Sequence, residues 1–365
     1  TTLCTGGSFN PHATADAPPA VIGRTYGTPR CDLLFTVSGG VAPMTWNFSA
    51  PGMPELVCTP GGTGDRLLRC NTGGVPVGGT AATDDLTVDV TDDNGTNIAS
   101  DVNGHAVHNI AVSAAFTFTL AAAVDPPPPG VDGRTYGNTA ASNCGVAGNV
   151  TCAALVYTAA GGLLPYSFAP LPASQAAPNL VAPGATPAAV ACAAGATAVT
   201  CTSGASNVAA ADANYPFTVT ATDAANDTTP GNVSIPLARS IVIFDALTVA
   251  LQSPAADPPA GVDGRNYGND LDTCAGAVPC APLLYRASGG LGSATTNGSY
   301  VFSAATGAMD PAVSFPNGVS CATGASPDAD EFTCAALAGI AVTTTGNFVT
   351  EVFVDDIGNA TTAAG

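Results

Sequence analysis

Short runs of alternating apolar and polar residues recur along the chain and are separated by turns rich in glycine and proline. Clear examples are residues 33–37, 86–92 and 217–223. A period of two over four to eight residues is typical of a half-buried strand. The apolar positions do not recur at the 3.6-residue spacing of an amphipathic helix. So many short strands predict an all-β chain built from β-sandwiches.

The same order of elements occurs three times. A Gly-Arg-Thr-Tyr-Gly segment at 23–27 recurs at 133–137 and, with Asn for Thr, at 264–268. Each copy precedes a strand-like run, a Gly-Gly pair, a short aromatic strand and a late strand that ends at an aspartate. Each copy also follows a proline-rich stretch, which is typical of a stiff spacer. We therefore expect an N-terminal segment followed by three tandem immunoglobulin-like domains, at residues 1–17, 18–125, 126–257 and 258–365.

The ends of the chain differ from its middle. Residues 116–120 and 241–249 predict strands that close the first two repeats, whereas the third repeat ends ten residues after Asp355 and is expected to lack its closing strand. An incomplete sandwich would expose an unpaired edge. Two hypotheses follow. Residues 1–17 of a neighbouring copy could complete the third domain by strand donation, or the chain could be one stretch of a longer repetitive protein.

One motif carries a family resemblance. Residues 38–46 read Ser-Gly-Gly-Val-Ala-Pro-Met-Thr-Trp, and Val-Thr-Asp-Asp-Asn-Gly follows at 90–95. The second repeat matches through Pro-Tyr-Ser-Phe at 165–168, and the third departs through an insertion between Gly290 and Tyr300. The pattern resembles the bacterial putative-Ig and cadherin-like modules of large extracellular surface proteins. The resemblance implies an immunoglobulin-like fold and a location at the cell surface.

Composition removes several classes of function. The formal net charge is −19, and the eight basic residues are all arginine. Such an acidic chain is not expected to bind nucleic acid or an anionic membrane surface. No run of about 20 apolar residues is present, so no membrane span is expected. The sequence also lacks GxSxG, HExxH, Walker and dinucleotide-binding motifs, which favours a protein that is not an enzyme.

Twelve cysteines fall into close sequential pairs, which favours an oxidising, extracellular compartment. Zinc is disfavoured because no pair is CxxC and the chain has only three histidines, two of which, His105 and His108, would face opposite sides of a strand. The order of cysteines within each repeat predicts six disulfides: Cys4–Cys31, Cys58–Cys70, Cys144–Cys152, Cys192–Cys201, Cys274–Cys280 and Cys321–Cys334.

Aspartates at strand ends and beside the proline-rich stretches are candidate calcium ligands, because cadherin-like modules bind calcium through such carboxylates. The alternative is that each aspartate side chain accepts a hydrogen bond from the backbone of its own turn. The calcium candidates are Asp92, Asp93, Asp125, Asp132, Asp223, Asp257, Asp263 and Asp355. Asn-x-Ser/Thr sequons make glycans candidate additions. They begin at Asn47, Asn94, Asn149, Asn226, Asn232, Asn297 and Asn359.

The three repeated arginines, Arg24, Arg134 and Arg265, predict ion pairs with a turn aspartate of the same or the adjacent domain, in preference to ligand binding. Trp46, Phe168 and Phe302 are expected in the sandwich cores. Together these features favour a structural subunit or segment of an extracellular filament, sheath or surface array whose partners are copies of itself. The alternative is the stalk of an adhesin or an array of carbohydrate-binding modules.

Overall fold

The computed structural model places strands throughout the part of the chain that it describes. The described residues are 17–27, 32–96, 106–137, 153–169, 186–210, 212–224, 232–253, 265, 267–268, 273–274, 278–279, 281–290, 300–304, 319–324, 330–336, 352–356 and 362–364. They form 24 strands and two short 3-10 turns, Thr63–Asp65 and Ala122–Val124. Within these residues, no helix is both long enough and apolar enough to cross a membrane.

The first domain contains two sheets. Its strands are β1 (Ala17–Val21), β2 (Leu33–Thr36), β3 (Thr45–Ser49), β4 (Val57–Gly61), β5 (Leu67–Asn71), β6 (Ala82–Thr91) and β7 (Ala106–Ser113). One sheet has the order β2-β5-β4 and the other the order β1-β7-β6-β3. Alternation places Leu86, Val88 and Val90 of β6 in the core. The proline-containing β1 lies at a sheet edge, parallel to β7, where a missing N–H is tolerated.

The second domain repeats this plan, and its described residues include one further strand, β8 (Thr117–Leu120), at the edge of a sheet. Its other strands are β9 (Gly130–Val131), β10 (Leu155–Ala160), β11 (Ser167–Phe168), β12 (Ala191–Ala194), β13 (Ala198–Thr202), β14 (Ala213–Thr222) and β15 (Ser234–Phe244). The sheet orders are β12-β13-β10-β8 and β11-β14-β15-β9. In the core, the ring of Tyr157 stacks on Phe118 and meets the edge of Phe217.

The third domain follows the same order. Its strands are β16 (Thr248–Ser253), β17 (Thr273–Cys274), β18 (Val278–Pro279), β19 (Leu283–Ser288), β20 (Tyr300–Ala304), β21 (Val319–Thr323), β22 (Glu331–Ala336), β23 (Val352–Asp356) and β24 (Thr362–Ala364). Its two main sheets are β16-β19-β22-β21 and β20-β23-β24, and β17 with β18 forms a small hairpin. The prediction of tandem, all-β immunoglobulin-like sandwiches is therefore confirmed.

Strand pairing corrects the assignment of strands at the domain boundaries. β8, predicted from the sequence to close the first repeat, pairs with β10 of the second. Phe116, Phe118 and Leu120 also belong to the core of the second domain. In the same way, β16 pairs with β19 of the third domain, whereas residues 241–244 do close the second domain as part of β15.

The third domain also differs from its prediction. β24 pairs with β23 at the place where β7 pairs with β6 and β15 pairs with β14. The third sandwich therefore already contains a strand at the place where the strand-donation hypothesis would add one from a neighbouring copy. Residues 1–16 of the expected donor segment lie outside the described residues, and Ala17 belongs to β1.

Each domain contains one of the expected disulfides at the same place in the fold. Cys58–Cys70, Cys192–Cys201 and Cys321–Cys334 each join two adjacent antiparallel strands, directly across the ladder. The bond therefore lies within one sheet, unlike the inter-sheet disulfide of antibody domains. The other three predicted pairs, Cys4–Cys31, Cys144–Cys152 and Cys274–Cys280, involve side chains outside the described part of the chain and stay predictions.

Candidate functional site

The repeated Gly-Arg-Xaa-Tyr-Gly segment forms the same turn in the first two domains. Tyr26 is fully buried and donates its hydroxyl hydrogen to the carbonyl of Pro18 at 2.7 Å, and Tyr136 does the same to Pro128 at 2.8 Å. The glycine that follows each tyrosine needs a left-handed backbone, with φ of 76° at Gly27 and 70° at Gly137. The buried tyrosine and the glycine that follows it fix the shape of the turn. The turn therefore holds its arginine at a fixed place at one end of the domain.

A buried aspartate lies at the opposite end of each of these domains, directly after the late strand. In the first domain, Asp92 accepts hydrogen bonds from the backbone N–H groups of Val41, Thr96 and Asn94, at 3.1, 2.8 and 3.1 Å. These donors stabilise the carboxylate, foremost that of Val41, and lower the pKa of Asp92 below its usual 3.8. The aspartate thus ties two loops together at the head of the domain.

Asp223 holds the matching position in the second domain. It accepts hydrogen bonds from the N–H groups of Val233 and Leu163, at 2.7 and 3.1 Å. Gly162 beside it has a φ of +59°, and a Cβ added there would lie 2.3 Å from the carboxylate. The Gly-Gly pair at this turn is therefore required because the aspartate occupies the space of a side chain.

Arg24 of the first domain joins Asp223 of the second. Its Nη2 donates to Asp223 Oδ1, and its Nη1 donates to the carbonyl oxygen of Ala224 at 3.1 Å. The two charged side chains are 7% and 0% exposed, so water is largely excluded from the pair. The prediction that this arginine pairs with a turn aspartate is confirmed, and the partner belongs to the adjacent domain. The arrangement is a polar junction between consecutive domains.

The segments that connect consecutive domains are short and contact the head of the next domain. Three residues separate β7 from β8, and three separate β15 from β16. The N–H of Gly162 donates to the carbonyl of Ala114 at 2.8 Å, and that of Gly290 donates to Asp245 at 2.7 Å. A Cβ added to Gly161 would lie 2.1 Å from the carbonyl oxygen of Ala115. The second role of the Gly-Gly pairs is therefore to let the connecting backbone pass.

The other two repeated arginines differ in exposure. Arg134 is 6% exposed, whereas Arg265 is exposed. In the third domain, the hydroxyl of Tyr300 donates to the carbonyl of Gly289, as that of Tyr166 does to Gly161 in the second. Tyr300 and Tyr166 are therefore equivalent positions of the two domains. With these positions aligned, the ladder of β20 with β23 makes Asp356, one residue beyond Asp355, the counterpart of Asp223. The two carboxylates are adjacent in the sequence, and only the strand pairing distinguishes them.

The calcium candidates do not come together in the described residues, where no three or more His, Cys, Asp or Glu side chains form a group that could hold a metal. Arg24 supplies the positive charge next to Asp223, and Arg239 makes a bidentate ion pair with Asp125 at 2.8 and 2.6 Å. Asp132 accepts from the N–H of Ala210. Asp257, Asp263 and the side chain of Asp355 lie outside the described residues, and calcium binding stays a prediction.

The remaining candidates are placed as follows. Sequons Asn47, Asn94 and Asn232 are exposed, whereas Asn149, Asn226, Asn297 and Asn359 fall outside the described residues. Trp46, Phe168 and Phe302, expected in the sandwich cores, are half-buried and pack against the margins of the three buried clusters. Asp93 is exposed beside Asp92. The side chains of His105 and His108 lie outside the described part of the chain.

No protein-family profile and no curated protein matches the chain. It is similar to a solved protocadherin gammaB7 EC3-6 cis-dimer, with a TM-score of 0.34 and 13% identity over 96% of this chain and 75% of that one. Human CDH23 EC21-23 gives 0.33 and 12%, covering 96% of each chain. Dpr2 Ig1-Ig2 in complex with DIP-Theta Ig1-Ig3 gives 0.30 and 8%, covering 97% and 96%. Likeness at this level assigns no family and carries no argument about function.

Proposed function

We propose that this chain is a structural segment of an extracellular filament or surface array, in which immunoglobulin-like domains are held at fixed orientations to their neighbours. The observation that carries the proposal is the ion pair of Arg24 with Asp223, which joins two domains across 199 residues of sequence and is shielded from water. A pair buried in this way contributes little net stability, but displacing one partner leaves a buried charge. It therefore favours one relative orientation of the two domains.

The connecting segments support the same function. A linker of three residues that also hydrogen-bonds the head of the next domain leaves little freedom between domains. Short, docked connections are what a spacer or a filament requires.

An extracellular location is supported by the disulfides. The three cystines of the described chain occupy equivalent places in the three domains, as in proteins folded in an oxidising compartment. The alternative of a carbohydrate-binding array gains no support from the described surface. Phe48 is the single aromatic among its exposed large hydrophobic side chains, and glycan-binding faces normally carry aromatic rings.

Small-angle X-ray scattering on the whole chain tests the proposal. The wild-type chain should give the narrow distribution of interatomic distances of a chain with fixed junctions. Arg24→Ala should broaden that distribution. Arg69→Ala is the matched control because Arg69 is an exposed arginine of the same domain and pairs with Asp32 of that domain. A wild-type chain as flexible as the Arg24→Ala variant would contradict the proposal.

A further inference from the structure

We infer that the head of the first domain is an acceptor for the tail of another copy of this chain, with Arg265 of one copy entering the Asp92 turn of the next. The inference rests on the proposed function, since it names the partner and the contact by which such an array would grow. The template is the junction inside the chain, where the same two motifs already meet as Arg24 and Asp223.

The Asp92 turn has the same construction as the occupied turn of the second domain. In both, one carboxylate oxygen accepts from the residue after the Gly-Gly pair, Val41 or Leu163, and the other accepts from the loop that follows the late strand. The carbonyl of Asp93 holds the chain position that Ala224 holds next to Arg24. The hydrogen bonds to the Asp92 carboxylate come from the backbone N–H groups of Val41, Asn94 and Thr96, with a further contribution from the Thr96 side chain.

Exposure distinguishes the two heads. Leu163 is 7% exposed at the junction, whereas Val41, its counterpart, is 46% exposed. Gly162 and Gly290 are buried beneath the connecting segments, whereas Gly40 is exposed. The head of the first domain therefore presents an exposed apolar residue beside a shielded carboxylate. The equivalent residues of the second domain are covered at the junction. A further Gly-Arg-Xaa-Tyr-Gly turn would cover Val41, and its arginine would pair with Asp92.

The third domain supplies that turn. Tyr267 is 9% exposed, and Gly268 has a φ of +76° with the backbone of Ala335 3.0 Å from an added Cβ, so the turn packs as those of the first two domains do. Arg265 is exposed, whereas Arg24 is 7% and Arg134 6% exposed. Donor and acceptor lie in the third and first domains of one chain. A contact between copies is therefore head-to-tail, and each added copy leaves one head and one tail available for the next.

Sedimentation velocity over a concentration series tests this contact. The wild-type chain should associate, and Arg265→Ala and Asp92→Asn should each raise the dissociation constant at least tenfold, which corresponds to about 1.4 kcal/mol. Arg286→Ala is the matched control, since Arg286 is an exposed arginine of the third domain that pairs with Glu331 of its own sheet. It should associate like the wild-type chain.

Mixing the two interface variants gives a sharper outcome. The Asp92→Asn copy retains Arg265, and the Arg265→Ala copy retains Asp92, so an equimolar mixture should form dimers and nothing longer. An Arg265→Ala variant that associates like Arg286→Ala, a mixture without dimers, or a wild-type chain that is monomeric at every concentration would overturn the inference. Scattering from that monomer would still test the proposed function independently.

Discussion

Replacing Arg24 with alanine isolates the energy of the junction. Among the described residues, the side chain of Arg24 bonds to Asp223 and Ala224 of the second domain and to no residue of the first, so this variant removes bonds between the domains. Trp46, in β3 of the first domain, is the only tryptophan of the chain. Tryptophan fluorescence during urea unfolding therefore reports the stability of the first domain alone.

The magnitude follows from the two bonds that are lost. Hydrogen bonds that involve a charged group contribute about 1.5–3 kcal/mol each. Asp223 retains two backbone donors, and the Ala224 carbonyl regains water when the domains separate, so the loss falls short of the full sum. We expect the free energy of unfolding of the first domain to fall by about 2–4 kcal/mol.

Arg69→Ala is the control here too, because its exposed pair with Asp32 should be worth less than about 1 kcal/mol. The Asp223→Asn variant, altered 199 residues away in the second domain, should also lower the stability read from Trp46. If Arg24→Ala changes that stability by less than about 0.5 kcal/mol, the size of an ordinary surface substitution, the junction does not couple the two domains.

Three further outcomes follow from the turns and the disulfides. Gly39→Ala should cost about 1 kcal/mol for its left-handed backbone, whereas Gly161→Ala should cost several-fold more because its Cβ would also displace the connecting segment; calorimetry of both variants compares them. The lowered pKa of Asp92 means that its stabilisation is present above the unfolded value near 3.8 and lost as the pH falls through the folded value, so Asp92→Asn should flatten the acid limb of the pH–stability curve measured by tryptophan fluorescence. Replacing Cys58 and Cys70 together with serine should cost about 2–3 kcal/mol in urea unfolding, the chain-entropy value for so short a loop.

Local signals were sufficient for the strands and for the disulfides of the described chain. Alternation over 86–92 and 217–223 predicts β6 and β14, because one face of each strand is buried. Cysteines 9 to 13 residues apart in a strand-turn-strand pattern predict the cystines, because a hairpin brings such positions opposite each other. These features depend on neighbours that are close in sequence.

The domain to which each boundary strand belongs could not be predicted from neighbouring residues in this way. The prolines at 126–129 indicate a spacer between domains, but they lie between β8 and β9, which belong to opposite sheets of the same sandwich. Proline cannot continue a hydrogen-bonded ladder, so it suits a chain that leaves one sheet and joins the other just as well as a hinge. The true connections, 114–116 and 245–247, carry no proline and no composition that sets them apart.

The choice of partner for Arg24 was equally out of reach of local reasoning. Asp92 and Asp223 follow similar strands and present the same surroundings in sequence, so the sequence leaves the same and the adjacent domain as alternatives. The arginine turn and the aspartate turn lie at opposite ends of one sandwich, a distance that an arginine side chain does not span. Only the three-dimensional path of the strands makes the adjacent domain the partner.

The parallel pairing of β9 with β15 has a mechanical consequence. Tension along the chain pulls β9 toward the N-terminus and β15 toward the C-terminus, so these two parallel neighbours are made to slide past each other. Their hydrogen bonds lie across that motion and share the load instead of opening one after another. The first and second domains are thus built to resist stretching at these parallel pairs, β1 with β7 and β9 with β15, while the cystine lies in the other sheet.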